Sequence, residues 1–133
     1  SNVNIYIGIG GSPEALLAAA ALKSLGGEIQ VKLWPIDEEE RTRLVEQGYD
    51  LEKVYKTNDL IKSDNVIFAA TGVTDGDMLR GVRFYKNTAI TESIVMRSRT
   101  RTIRRIIAQH NLNYKTIPLK SSGEVRYING VKR

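Results

Sequence analysis

The chain has 133 residues, enough for one compact domain with a single core, and its 41% hydrophobic and 26% charged residues are those of an ordinary globular domain. It holds no cysteine and one histidine, His110. Disulfides and a zinc site built from Cys and His are therefore excluded, and any metal must rest on oxygen ligands, which points to magnesium or manganese. The net charge is +5, with the basic excess late in the chain from Arg97 onward, and no apolar run is long enough to span a bilayer.

The elements are read in chain order. Val3 to Ile9 is a β-branched and aromatic run that predicts a buried strand. Gly10-Gly11 makes a turn, and Pro13 to Leu25 predicts a helix, with Ser12 as its N-cap, Pro13 at the first helical position and Gly26-Gly27 as its stop. Leu16 and Ala20 are placed against a sheet. Glu28 to Trp34 alternates polar and apolar residues and predicts a half-buried strand. Asp37 caps a second helix that runs through Gln47 and stops at Gly48, and its early Glu38, Glu39 and Glu40 suit the positive helix end. Asp50 to Tyr55 is ambiguous, and Thr57 to Ile61 reads as a short capped helix. Asn65 to Ala70 predicts a strand ending at Thr71-Gly72, and a short helix is expected around Gly76 to Leu79. Val82 to Lys86 and Ala89 to Met96 predict two strands of an antiparallel hairpin near residues 82–97. Thr100 to His110 predicts a last helix with Ile103, Ile106 and Ile107 on one side, and a short strand is expected at Glu124 to Ile128. The alternation of strands and helices predicts one three-layer α/β domain over residues 1–133 with a mostly parallel sheet.

The glycine turn carries the chemistry. A strand, a glycine turn and a helix N-terminus together form a common phosphate site, and Glu14 fixed in the first helical turn adds an acid suited to a metal. The usual nucleotide motifs are absent. Gly8 and Gly10 are followed by Pro13 where the dinucleotide fingerprint needs glycine, Trp34-Pro35 stands where its acid belongs, and no Gly-Lys-Ser/Thr follows for a Walker loop. On residue types alone a second reading stays open. In it, Gly10 and Gly11 permit a tight turn and Glu14 complements the helix dipole.

The run Gly8-Ile9-Gly10-Gly11-Ser12-Pro13-Glu14, with Leu17 to Lys23 and Leu25-Gly26-Gly27-Glu28 behind it, resembles the class II fructose-1,6-bisphosphatases, including the bifunctional fructose/sedoheptulose bisphosphatases. A second block from Phe68 to Val82 and a third from Thr88 to Ser98 agree in order and spacing. The resemblance implies the C-terminal domain of the sugar-phosphatase superfamily. It also implies a longer parent enzyme whose N-terminal part holds the catalytic residues, most of the acidic metal ligands and most substrate contacts. Residue by residue it carries over two positions, Glu14 as a metal ligand and Gly11 as the glycine beside the substrate; Ala15 stands where the family most often has glycine. It implies metal-assisted hydrolysis of fructose 1,6-bisphosphate to fructose 6-phosphate and phosphate, with Mg2+ or Mn2+. The setting is a cytoplasmic homo-oligomer of gluconeogenesis or Calvin-type metabolism, with no nucleic-acid or membrane partner.

The remaining candidates have plainer readings beside them. Asp75-Gly76-Asp77 looks like a metal loop, but two acids do not cage a hard cation, and turn or cap roles are favoured. Thr71-Gly72 stands where parallel α/β sheets place ligands. Arg97, Arg99 and Arg101 suit a phosphate or a solvated surface equally. His110 is read as a residue near a helix C-terminus. The alternatives to a bisphosphatase piece are a non-catalytic α/β domain binding a phosphorylated ligand or nucleotide at the glycine turn, and an oligomerisation domain of the same parent.

Overall fold

A computed structural model describes residues 5–115, 117–121 and 124–128. Helix α1 spans Ser12–Leu25. Its N-cap is Gly11, in extended conformation, whose carbonyl accepts the Ala15 N–H at 3.1 Å. Ser12 is thus the first helical residue and not the cap, and Pro13 sits one step further in, where its missing N–H is one of the unpaired first-turn donors anyway. The helix closes with both bonds of a Schellman motif, Gly27 N–H to Leu22 O at 2.8 Å and Gly26 N–H to Lys23 O at 3.4 Å. Gly26 adopts φ 79°, a left-handed conformation that favours glycine.

Strand β1 (Gln30–Lys32) and strand β2 (Val54–Lys56) pair antiparallel, with Val31 opposite Tyr55. Helix α2 (Glu38–Glu46) lies between them in sequence. The Asp37 carboxylate accepts the Glu40 N–H at 2.8 Å, the cap its position predicts. Helix α3 (Thr57–Leu60) follows β2 directly and packs on α1. Buried Thr57 accepts the Ile29 N–H at 2.9 Å. The Lys23 ammonium donates to Asn58 Oδ1 at 3.0 Å and to Ile61 O at 2.9 Å, tying α1 to the end of α3. Among the described elements α1 packs on the small helix α3, and Leu16 stays 45% exposed where a sheet contact was expected.

Strand β5 (Thr88–Arg97) pairs with β3 (Ile67–Thr71), β4 (Arg83–Tyr85) and β6 (Thr102–Asn111) in a four-stranded sheet. Strands β7 (Ile117–Ser121) and β8 (Glu124–Ile128) form a further antiparallel hairpin, which includes the expected strand at 124–128. The described residues divide into two units, those of 5–68 with 96–102 and those of 69–95 with the described part from 103 on. The first buries Ala19, Leu51 and Met96, and the second buries Leu79, Ala89, Ile94 and Leu112.

Four expectations are corrected. The sheets are antiparallel. Gly72 N–H reaches Glu92 O and Ser98 N–H reaches Val66 O at 2.9 Å each, so β3 and β5 run in opposite directions. The connections explain this, because Lys86-Asn87 joins β4 to β5 and Ser98–Arg101 joins β5 to β6, and parallel neighbours need a crossover of a dozen residues or more. Residues 102–111 form β6 and not a helix. The spacing of Ile103, Ile106 and Ile107 suits a helix face, but β-branched residues fit a pleated surface well, and the tight turn at 98–101 delivers the segment straight onto β5. Residues 76–79 form a bent loop closed by Gly76 N–H to Leu79 O at 3.0 Å and Val82 N–H to Val73 O at 3.2 Å. Finally, Ile5 to Ile9 forms no strand. A strand needs a partner for its backbone groups, and none of the described residues supplies one; Ile5, Tyr6, Ile7 and Ile9 are 79–92% exposed. Val3 and Asn4 of that expected strand lie outside the described residues.

Candidate functional site: the glycine turn ahead of α1

The turn is built from three adjacent constraints. Gly11 has φ −71° and ψ 159°, a conformation open to any residue, so backbone freedom is not the reason for glycine here. What a side chain here would meet is the end of Glu14. A Cβ at Gly11 would collide with the Glu14 carboxylate, whose carboxyl carbon would lie 3.3 Å from it. Glu14 therefore folds back over Gly11 from the first turn of α1, where a negative charge is favoured. Glu14 is exposed, and its carboxylate makes no ion pair or hydrogen bond with the described residues. Gly10, next door, has open space on its Cβ side. The structure thus places the two sequence-derived positions, Gly11 and Glu14, side by side.

The described residues do not compose a metal site by themselves. A hard divalent cation takes six or more oxygen ligands, whereas no group of three or more His, Asp or Glu converges among them.

The other candidates have assigned places. The Asp75 carboxylate accepts the Gly81 N–H at 2.8 Å, the turn role. Asp77 is exposed. Thr71 ends an antiparallel strand and not a parallel one, so the rule placing ligands at parallel strand ends does not apply; its hydroxyl lies 2.8 Å from Ser93 Oγ. Arg97 Nε donates to Asn65 Oδ1 at 2.8 Å. Arg101 takes φ 49° at the β5–β6 turn and lays its guanidinium beside Gly26, at the C-terminal end of α1 where a cation is favoured. His110 stands on β6 and not at a helix end, with Nε2 3.0 Å from Thr91 Oγ1.

Two features escaped sequence reading. One is an open cleft of about 460 Å³ lined by Lys23, Gly26, Gly27, Lys56, Asp59 and Arg101. It lies at the far end of α1 from Glu14, roughly 18 Å away at 1.5 Å per helical residue, so it is no part of the turn. The other is a brace around the Glu92 carboxylate, which accepts the Arg80 N–H at 3.1 Å and Arg105 Nη1 at 3.0 Å, while the same Nη1 also donates to Met78 O at 3.1 Å. The Arg80 N–H foremost, then Arg105, hold the Glu92 pKa below the ordinary glutamate value against the opposing effect of desolvation. Reading 102–111 as a helix hid this brace, because only a strand beside β5 brings Arg105 to Glu92.

Among the described residues no helix is long and apolar enough to cross a membrane. The family model described as bacterial fructose-1,6-bisphosphatase, glpX-encoded, matches residues 1–110. The chain is 39% identical over 126 residues to a fructose-1,6-bisphosphatase class 2 of Haemophilus influenzae, an alignment covering 85% of this chain and 38% of that protein. It is 40% identical over 128 residues to fructose-1,6-bisphosphatase 1 class 2 of Escherichia coli K12, covering 86% of this chain and 38% of that protein. The chain thus spans about 38% of the length of these relatives. With the match running through the glycine turn, α1 and the four-stranded sheet, the chain belongs to the glpX-encoded bacterial fructose-1,6-bisphosphatase family.

Proposed function

We propose that this chain is the C-terminal domain of a sugar bisphosphatase and contributes one wall of its active site. The observation that carries the reading is the pairing of Gly11 with Glu14, a carboxylate that has no other partner among the described residues, inside the segment that matches the family. The reaction is hydrolysis of fructose 1,6-bisphosphate to fructose 6-phosphate and phosphate. Gly11, lacking a side chain, leaves room beside the substrate. Glu14, held by the helix backbone and aimed back across Gly11, is one ligand of a Mg2+ or Mn2+ site whose other carboxylates come from the N-terminal part of the parent. A bound divalent ion supplies charge neutralisation at the reacting phosphate. What this chain supplies is one oxygen donor, placed by the first turn of α1 beside Gly11.

The test is phosphate release from fructose 1,6-bisphosphate with magnesium or manganese, measured on the 133-residue chain and on the full-length parent. The chain alone is expected to be folded by circular dichroism and essentially inactive, because one carboxylate cannot assemble the ligand set. Turnover by the chain at a rate near the parent's would overturn the assignment of the remaining ligands to the rest of the protein.

A further inference from the structure

The second unit carries a polar strip that the glycine turn does not use. Along β5, side chains alternate between faces. Glu92 points to one face and meets Arg105; Thr91 and Ser93 point to the other. On that second face Ser93 Oγ lies 2.8 Å from Thr71 Oγ1 of β3, and Thr91 Oγ1 lies 3.0 Å from His110 Nε2 of β6. Lys115 Nζ lies 3.2 Å from the other ring nitrogen, His110 Nδ1.

Hydrogen-bond accounting fixes the direction of this chain of groups. An ammonium has donors only, so Nδ1 accepts from Lys115. The proton of the neutral ring is then on Nε2, which donates to Thr91 Oγ1. Thr91 has accepted, so its own O–H proton is free to donate outward. In the Thr71–Ser93 pair one hydroxyl donates to the other, which leaves one further O–H proton. The strip therefore presents two spare hydroxyl donors about 7 Å apart along β5, backed by an ammonium that meets an imidazole and makes no ion pair with a carboxylate among the described residues. Arg104 shares the His110 face of β6 by alternation and adds positive charge. The one carboxylate of β5, Glu92, is turned to the opposite face.

Spare hydroxyl donors beside a positive charge, with no carboxylate meeting them among the described residues, complement an oxyanion. We infer that Thr91, Ser93, Thr71, His110 and Lys115, none of them a residue of the glycine turn, form a phosphate-binding site that takes the dianionic head of inorganic phosphate or of a phosphate monoester. Hydroxyls and an ammonium bind the oxygens, and His110 relays the Lys115 charge onto Thr91.

The single histidine makes the test clean. The ring resonances of His110 are followed by NMR at pH 7.5 while inorganic phosphate, glucose 6-phosphate or sodium chloride is added to the 133-residue chain at matched ionic strength. A saturable shift is expected with inorganic phosphate, with a Kd on the order of 1 mM for an exposed site. The glucose 6-phosphate arm separates the two sources. Saturation there at a similar concentration identifies a monoester site, and saturation with inorganic phosphate alone identifies a site for the free ion. Thr91→Val and Lys115→Met, both isosteric enough to keep the fold, are each expected to weaken the response at least 10-fold. A response that follows chloride equally, or wild-type affinity in both variants, would overturn the proposal. A failure here leaves the glycine-turn assignment untouched, since Gly11 and Glu14 take no part in the readout.

Discussion

Gly11→Ala in the full-length enzyme isolates the proposed site from the fold. Gly11 sits at φ −71° and ψ 159°, which alanine adopts freely, so no backbone strain enters. The loss at the N-cap is the difference between glycine and alanine there, about 1 kcal/mol. The 133-residue chain is about 38% of the length of its relatives, so a full-length enzyme unfolding as one unit has an entropy of roughly 0.7 kcal/mol/K, and the Tm drop is only about 1–2 °C. The functional effect is larger. The new methyl overlaps a Glu14 carboxylate oxygen and lies 3.3 Å from its carboxyl carbon, whereas carbon atoms rest at about 3.5–4.0 Å. Glu14 relieves the overlap by changing side-chain rotamer, and α1 stays in place. The carboxylate then moves by roughly an ångström, and a misplacement of that size costs on the order of 10²-fold in rate. The assay is steady-state kcat at saturating magnesium or manganese, with a thermal melt on the same sample. Gly10→Ala is the control, because nothing lies within 4 Å of a Cβ there. A Gly11→Ala enzyme with kcat within about twofold of wild type would refute the reasoning.

Three further outcomes are expected. Glu14→Gln in the full-length enzyme keeps the side-chain size but removes the charge, so kcat should fall by about 10²-fold or more with little change in Tm; unchanged kcat at saturating metal removes Glu14 from the site. In the loop between β3 and β4, Gly72→Ala places a methyl against the Arg80 backbone, 2.9 Å from its carbonyl carbon and closer still to the oxygen, while Gly76→Ala meets nothing nearer than Leu79 O at 3.8 Å. The first should cost about 3 kcal/mol by overpacking and the second within about 0.5 kcal/mol of zero, a contrast read from urea midpoints and contradicted by equal values. Glu92 is held below its ordinary pKa, so the stability it contributes is complete above the unfolded glutamate value of about 4.3 and fades as pH falls through the lower folded value. The stability gap between wild type and Glu92→Gln should therefore be largest near neutrality and shrink below about pH 4, and a gap constant from pH 7 to pH 3 would contradict the brace.

Several local signals in the sequence held where the physics is local, although the cap of α1 is Gly11 and not Ser12. Asp37, Gly26 and Gly48 ended or started helices where expected, because a cap needs only its own hydrogen bonds and a left-handed glycine needs only its own φ. The β4–β5 hairpin followed from two short runs and a two-residue connection. What failed depended on partners distant in sequence. Ile103, Ile106 and Ile107 have helical spacing, yet the hydrogen bonds that β5 offers outweigh a weak helical preference in β-branched residues. The parallel sheet failed for the same reason. Alternating strand and helix runs suggest crossovers, but residues 72–82 fold as a loop stapled by Asp75 and Glu92 and build no helix to carry the chain across.

The apolar run Ile5 to Ile9 shows how a strand signal and a strand differ. Its residues have the composition of a buried strand, and in this chain they stand exposed immediately before Gly10 and Gly11. Composition reports what a segment would bury, whereas strand formation requires an edge to pair with. The same distinction applies to the site. The place of Glu14 was legible because a turn and the first residues of a helix set it. The fellow ligands that the proposed ion needs were not, because a hard cation gathers oxygens from across a fold and no group of three or more His, Asp or Glu converges among the described residues. The exposed run and the exposed carboxylate are adjacent in sequence, seven residues apart from Ile7 to Glu14. On the proposed reading one event answers both: docking of the N-terminal part covers the apolar run and gives Glu14 its fellow ligands. Covering of that run and assembly of the metal site are then the same step. Metal binding to the full-length enzyme should accordingly weaken when Ile7→Asp puts a charge into the run, even though Ile7 carries no oxygen ligand of its own in the wild type, and unchanged metal affinity would contradict the coupling.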